Sequence, residues 1–287
     1  MLKNLPFILP IFLFLISCNS SELDYNVPYA GDKIVVNGFV DNDNGCVIAI
    51  SKTGPASGKF EYDRNEVKEA KVFLFENGTQ ILELQRDSTK KFVSTNFSPK
   101  EGSQYKIKAT SMGLPDVESE EVLFTDLTRI SDVRTEIKKD IVFGRKGVVF
   151  TFKFEFDTSK INYYTLEKFG DKDNVDGRSI TIANNTATCE AFSIYFDSFF
   201  STKCLKSGQE MQFALEPYNP KTRGIPSVLR LKISSIPKAY FEYREYTNQT
   251  YTSLDAAFLE PIYVTSNIKN GYGNFYKKCS ITLTYKL

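Results

Sequence analysis

The chain has 287 residues, with 36 Lys and Arg against 35 Asp and Glu, and neither His nor Trp. A balance this close to neutral gives no electrostatic reason to bind nucleic acid, whose affinity rests on neutralised phosphates, or to adhere broadly to anionic lipid. The missing His removes the commonest general base, the His-dependent triads and the usual zinc ligands, which leaves carboxylate, Tyr or Lys chemistry.

The chain opens Met1-Leu2-Lys3-Asn4, followed by an uncharged apolar run from Leu5 to Ile16. One positive residue before about a dozen apolar ones is the layout of a secretory signal peptide, and the run is shorter than the roughly 20 residues a spanning helix needs. It ends Leu15-Ile16-Ser17-Cys18, which matches a bacterial lipobox: an aliphatic residue at −3, a small residue at −1, then Cys. The expectation is cleavage after Ser17 and lipidation of Cys18, by diacylglycerol on the thiol with further acylation of palmitate type. Two or three acyl chains hold a protein firmly where one holds it marginally. Loss of residues 1–17 removes Lys3 and leaves 35 basic residues against 35 acidic. Residues 18–32 are polar, contain Pro28 and show no hydrophobic period, so they read as a flexible tether.

From residue 33 to 125 the pattern is short strands between turn residues. Ile34-Val35-Val36 and Phe39-Val40 lead to the turn Asp41-Asn42-Asp43-Asn44-Gly45, and Cys46-Val47-Ile48-Ala49-Ile50 follows. Ala70–Phe75 and Ile81–Leu84 flank Asn77-Gly78, a strong hairpin signal. Tyr105, Ile107 and Ala109 alternate with Lys106 and Lys108, a strand with one wet face. These strands predict a β-sandwich of immunoglobulin or transthyretin type.

From 126 to 287 a second β-rich domain is expected. Phe150, Phe152, Phe154 and Phe156 alternate with Thr151, Lys153 and Glu155. Leu229, Leu231 and Ile233 alternate with Arg230 and Lys232, and Ile281, Leu283, Tyr285 and Leu287 with polar residues. Each has period two and reads as a half-buried antiparallel strand. One helix is predicted near residues 237–253, with Ser235 as a candidate cap, Pro237 in the first turn, and Tyr240, Tyr243, Thr247 and Tyr251 on one face. The fold class is mainly β.

Candidate sites are few. Past Cys18 four cysteines remain, Cys46, Cys189, Cys204 and Cys279. The signal peptide permits disulfides. Cys189 and Cys204 flank one aromatic segment and are the favoured pair, while Cys46 and Cys279 lie in strand-like runs and read as buried thiols, their pairing being the alternative. Phe192, Tyr195, Phe196, Phe199 and Phe200 are core strand by default and an exposed partner patch as the alternative. Asp41–Gly45 and Asp171–Gly177 resemble calcium loops, but neither has the Gly and Glu spacing of a helix–loop–helix site, and acidic Gly-ending turns are ordinary hairpin connections. Lys52-Thr53-Gly54 and Ser235-Ile236-Pro237-Lys238 match two β-lactamase pieces in the wrong order, without the third, and are read as chance. No metal, cofactor or catalytic residue is expected.

Two stretches resemble a known family. One is Ile34-Val35-Val36-Asn37-Gly38-Phe39-Val40 with Glu69-Ala70-Lys71-Val72-Phe73-Leu74-Phe75-Glu76-Asn77-Gly78. The other is Glu260–Phe275, whose most specific part is Ser266-Asn267-Ile268-Lys269-Asn270-Gly271-Tyr272-Gly273-Asn274-Phe275. With the lipobox, they resemble the Bacteroidota lipoproteins catalogued as domain of unknown function 4249. The resemblance implies a non-enzymatic outer-membrane lipoprotein, anchored by lipid and encoded beside a TonB-dependent transporter, for which it serves as an accessory or binding subunit. A surface adhesin or glycan-binding module is the alternative. Glu22 and Asp24, acidic residues shortly after Cys18, favour the cell surface over the periplasmic face. Family members often carry a Cys-Trp pair, from which this Trp-free chain departs.

Overall fold

The computed structural model describes residues 29, 31–54, 65–67, 69–94, 96–125, 128–138, 147–170, 180–182, 191–194, 197–215, 228–252 and 265–286. The expected signal peptide, the tether apart from Tyr29, Gly31 and Asp32, and Cys18, Cys189, Tyr195, Phe196 and the Asp171–Gly177 loop lie outside these residues.

The molecule is mainly β, as expected. β1 (Ile34–Asp41) and β2 (Gly45–Lys52) form a hairpin across the Asp41–Gly45 turn. β3 (Lys71–Glu76) and β4 (Thr79–Arg86) form another around Asn77-Gly78, whose φ angles of 48° and 78° suit a two-residue hairpin turn. β5 (Phe92–Ser94) pairs with both β2 and β4, so it links the first hairpin to the second. β6 (Gln104–Ser111), β7 (Leu114–Ser119) and β8 (Val122–Leu123) extend the β3 side.

In the second part come β9 (Arg129–Lys138), β10 (Gly147–Glu155), β11 (Tyr163–Gly170), β12 (Ile180–Ile182), β13 (Ala191–Ile194), β14 (Asp197–Ser201), β15 (Gln209–Leu215) and β16 (Val228–Ile236). Helix α1 (Lys238–Thr252) follows, then β17 (Ile268–Lys269) and the 15-residue β18 (Tyr272–Lys286).

β18 joins the two parts. Its residues Tyr272–Lys278 run parallel to β1, and Cys279–Lys286 run antiparallel to β16. The strands therefore form one continuous path, β13-β14-β11-β16-β18-β1-β2-β5-β4-β3-β6-β7-β17, with β8 beside β6. A separate sheet has the order β12-β15-β10-β9. β17 pairs with β7. Residues 265–278 thus fall late in the sequence, yet their strand partners are β1 and β7 of the first part.

Among the described residues there are two large cores. The first gathers Ile34, Val36, Ile48, Val72, Leu74, Tyr105 and Ile107, and it includes Ile268, Phe275 and Cys279 from the C-terminal segment. The second is aromatic, built from Phe150, Phe152, Phe154, Tyr164, Phe200 and Phe213. Phe152 stacks on Phe213 at 5.4 Å, and Tyr164 on Phe200 at 5.1 Å. Burying one such ring contributes roughly 1.5–3 kcal/mol, so period-two aromatic runs dominate this half.

The structure corrects three readings. Ser235 does not cap the helix: it is still in β16, and the first helical amides, those of Tyr240 and Phe241, donate to the carbonyl of Pro237. The buried anchor of α1 is Phe241, which packs with Phe199 and Ile236, whereas Tyr243 is exposed. Lys232, assigned by alternation to a wet face, is buried, because the β1–β2 turn covers that face.

Candidate functional site

The stretch Ser266–Phe275 forms the turn into β18, and its unusual residues each have a structural task. Ser266 Oγ donates to the Gly273 carbonyl at 2.9 Å and accepts from the Ile268 amide. The Asn267 side chain acts as one more rung of a ladder. Its Nδ2 donates to the Phe275 carbonyl at 2.7 Å, and its Oδ1 accepts from the Phe275 amide at 2.9 Å. Gly273 has φ +104°, and a Cβ there would stand 1.9 Å from the Val36 carbonyl oxygen. At Gly271 a Cβ would meet the Ile34 carbonyl oxygen at 2.5 Å. Phe275 is fully buried in the first core. The motif thus encodes how a late strand enters an early sheet: two glycines for close approach, an amide that doubles the backbone, and a ring that anchors it.

The inserted strand forms part of the walls of two cavities. The larger, about 560 Å³, is a cleft bounded by Asn162, Tyr163 and Tyr164, by Pro237 at the start of α1, and by Ser266, Asn267 and Asn274 to Lys277. A second, about 500 Å³, lies against Asn37–Phe39 of β1 and Tyr240 and Tyr243 of α1. Both volumes fall within the usual range of small-molecule sites. Tyr276 borders both and stacks on Tyr240 at 5.1 Å. Burial holds both phenols above their ordinary range, Tyr276 well above. They stay neutral at physiological pH.

Most polar groups on the cleft wall are already committed. Asn267 serves the Phe275 backbone. The hydroxyl of Tyr164 pairs with Thr128 Oγ1 at 2.8 Å, and the Lys277 ammonium donates to the Thr125 carbonyl. Hydrogen bonds from Ser159 hold the Asp157 carboxyl below its ordinary range, so it is ionised. Ser235 Oγ, also on the wall, is buried and has no hydrogen-bond partner among the described residues. The wall offers aromatic faces, hydroxyls and amides, groups that recognise a ligand by shape and hydrogen bonding. Among the described residues, no group of three or more Cys, Asp or Glu is placed to hold a metal ion.

A charged cluster fastens the first part to the second. Lys232 Nζ lies 2.7 Å from Asp43 and 3.4 Å from the fully buried Asp41. Burial alone would lower the Lys232 pKa, but the hydrogen bond it donates to Asp43 and the charges of Asp41 and Glu167 outweigh it and raise it. Lys278 pairs with Glu167 and lies over the Phe39 ring at 5.2 Å. Asn42 brackets the Ser280 backbone as Asn267 does that of Phe275, at 2.9 and 2.7 Å. The acidic turn is therefore a clamp between the two parts. Sequence reading assigned no role to Asn42, Lys232, Lys278 or Tyr276. The partners of Asn42, Lys232 and Lys278 lie more than 100 positions away, and Tyr276 stacks on a tyrosine 36 positions earlier on another element, separations that no local pattern encodes.

The remaining expected residues are dispersed. Phe199 and Phe200 are buried and cannot be an exposed patch: β14 pairs on both sides, with β11 and β13, which presses one ring toward α1 and the other into the second core. Phe192 is in β13 opposite Phe199. Cys204 is exposed, just past β14, while Cys189, its expected partner, lies outside the described residues. Cys46 and Cys279 are buried on the two strands that flank β1. Cys46 carries a free thiol, and burial pushes its pKa far up. Cys279 Sγ lies 3.9 Å from the Thr125 carbonyl oxygen.

No curated protein matches the chain. Solved structures share only remote similarity. A "Putative membrane anchored protein from Corynebacterium diphtheriae" is 14% identical with a TM-score of 0.20, the match covering 73% of this chain and 55% of that one. Domains 3–5 of the Drosophila OTK extracellular region are 9% identical, also with a TM-score of 0.20, over 74% of this chain and 64% of that one. This chain thus spans less than two thirds of either. The family profile described as Domain of unknown function (DUF4249) matches residues 20–276, from just past Cys18 to Tyr276 within β18, and the chain belongs to that family.

Proposed function

We propose that the chain is a lipid-anchored, non-enzymatic subunit of the outer membrane that faces the cell surface and assists a TonB-dependent uptake system. The observation that carries this reading is the apolar run Leu5–Ile16 ending in Leu15-Ile16-Ser17-Cys18. It supplies both an export signal and a thiol for the lipid. A chain without a single His is poorly equipped for the common hydrolytic mechanisms. The cleft beside Tyr276, walled by aromatic faces and amides, suits a binding subunit that hands a ligand to a transporter.

The test has two stages. Cells fed a clickable fatty acid should label the wild-type chain in the membrane fraction, while Cys18→Ala should carry no label. A tagged chain extracted in mild detergent should then bring a large β-barrel protein with it. Lipid labelling that persists in Cys18→Ala would remove the anchor. Repeated recovery of the labelled lipoprotein alone would leave the anchor and remove the transporter. Protease added to intact cells should digest the chain; full protection would place it on the periplasmic face.

A further inference from the structure

Among the described residues the two sheets have five edge strands. Four are short: β13 has four residues, β12 three, and β17 and β8 two each. The fifth, β9, has ten, and its one partner among the described residues is β10. An unpaired row of N–H and C=O groups is a template for another strand, so natural edges are usually kept short, bulged or covered. β9 has one such device, a bulge at Asp132 (φ 53°), where the register shifts opposite Thr151 and Lys153. Beyond it the strand is regular, and every residue from Ser131 to Lys138 is exposed. Val133 and Ile137 are 46% and 44% exposed, although they lie on the face that carries the buried Val148 and Phe150.

The side chains of this edge are complementary to themselves. The segment reads Asp132-Val133-Arg134-Thr135-Glu136-Ile137-Lys138. Laid antiparallel on a copy with Thr135 opposite Thr135, it sets Arg134 against Glu136, Val133 against Ile137 and Asp132 against Lys138. Of the seven rungs, four pair an acid with a base, two pair Val133 with Ile137, and the central one sets Thr135 on itself. Moving the centre to Arg134 or Glu136 sets like charges opposite each other. Centring it between residues sets Val133 against Glu136 and mixes the two faces. The register centred on Thr135 satisfies the charged face and the apolar face over all seven residues Asp132–Lys138, whereas a centre at Val133 or Ile137 engages only the three residues nearest that end of the segment.

We propose that β9 is a self-association edge, where a second copy of this chain adds its own β9 antiparallel about a two-fold axis at Thr135. The four-stranded sheet then becomes one sheet of eight strands. The row Val133, Thr135 and Ile137 meets its own counterpart along the apolar face, and the ladder hydrogen bonds are made by the backbone. The contact is short and sits below the area of a standard stable interface, so the pair dissociates readily and covalent capture is the suitable probe.

The test uses the full chain purified in detergent. Thr135→Cys, oxidised at high micromolar concentration, should give a cross-linked dimer well above wild type, since directly opposed residues of an antiparallel pair lie within disulfide reach. Arg134→Cys mixed with Glu136→Cys should cross-link to each other, and each alone should do so poorly. In the Thr135→Cys background, Arg134→Glu should reduce the dimer by roughly tenfold through like charges on two rungs, and adding Glu136→Arg should restore it. Thr135→Cys yields no higher than wild type, or no rescue by the double exchange, would overturn the proposal. So would a purified chain that stays monomeric while its Thr135→Cys form in cells is captured by a different polypeptide.

Discussion

Gly273 stands opposite Val36, one residue into the pairing of β18 with β1. Its φ of +104° and the missing Cβ are both needed, because the Val36 carbonyl oxygen occupies the place a Cβ would take, 1.9 Å away. Gly78 offers a control. Its φ is +78°, but nothing lies within 4 Å of its absent Cβ. An L-residue in the left-handed region costs about 1–2 kcal/mol by itself, and that is the expected loss for Gly78→Ala. Gly273→Ala adds a clash with backbone that cannot step aside without lifting β18 off its partner, so the expected loss is about 3–4 kcal/mol. Urea unfolding of both variants beside wild type measures the difference. Equal midpoint shifts would mean that the close approach has no energetic weight. The same reasoning explains why Ser266 and Asn267 look like binding residues in sequence while their side chains are turned to the backbone. A short polar side chain beside a glycine marks a site of special backbone geometry, and sequence alone does not say whether the exposed or the structural kind.

At the scale of elements, most strands were legible. The Asn77-Gly78 hairpin, the Tyr105–Ala109 strand and the Phe150–Phe156 run stand where alternation places them, because each borders a core that one face must fill. The helix was found to within a residue or so, but its buried contact is Phe241 rather than the tyrosine row. What could not be read is which strands pair. The parallel join of β1 to β18 spans more than 230 positions, and no local pattern encodes it. That join has a consequence. Residues up to 125 contain most of the first core, but Ile268, Phe275 and Cys279 complete it, and β1 needs a neighbour on its outer side. A fragment of residues 29–125 should show no cooperative urea transition, being small and missing part of its core. The same fragment joined through a flexible linker to residues 265–279 should regain one. A sharp transition in the bare fragment would show that β17 and β18 are an ornament on a domain that stands alone.

At the scale of the molecule, β18 lies between β16 of the second part and β1 of the first, and the Asp41–Gly45 turn reaches across to Lys232 and Ser280. Opening either core disturbs a strand that the other core needs. The chain should therefore unfold as one unit, although it has two separate large cores. Cys46 is a built-in reporter: its thiol is fully buried in the first core and reacts only when that core opens. Phe152, fully buried in the second core and stacked on Phe213, supplies the perturbation. Phe152→Ala should cost about 3–5 kcal/mol. If opening is global, Cys46 should be alkylated roughly 10²–10³ times faster in Phe152→Ala than in wild type, since each 1.4 kcal/mol is a factor of ten. Labelling followed site by site in mass spectrometry distinguishes the outcomes. An unchanged rate at Cys46 would mean that the first core opens without the second, and that β18 is a hinge between independent domains. A rate that rises with the full loss of stability would make the shared strand and its clamp the reason two cores behave as one.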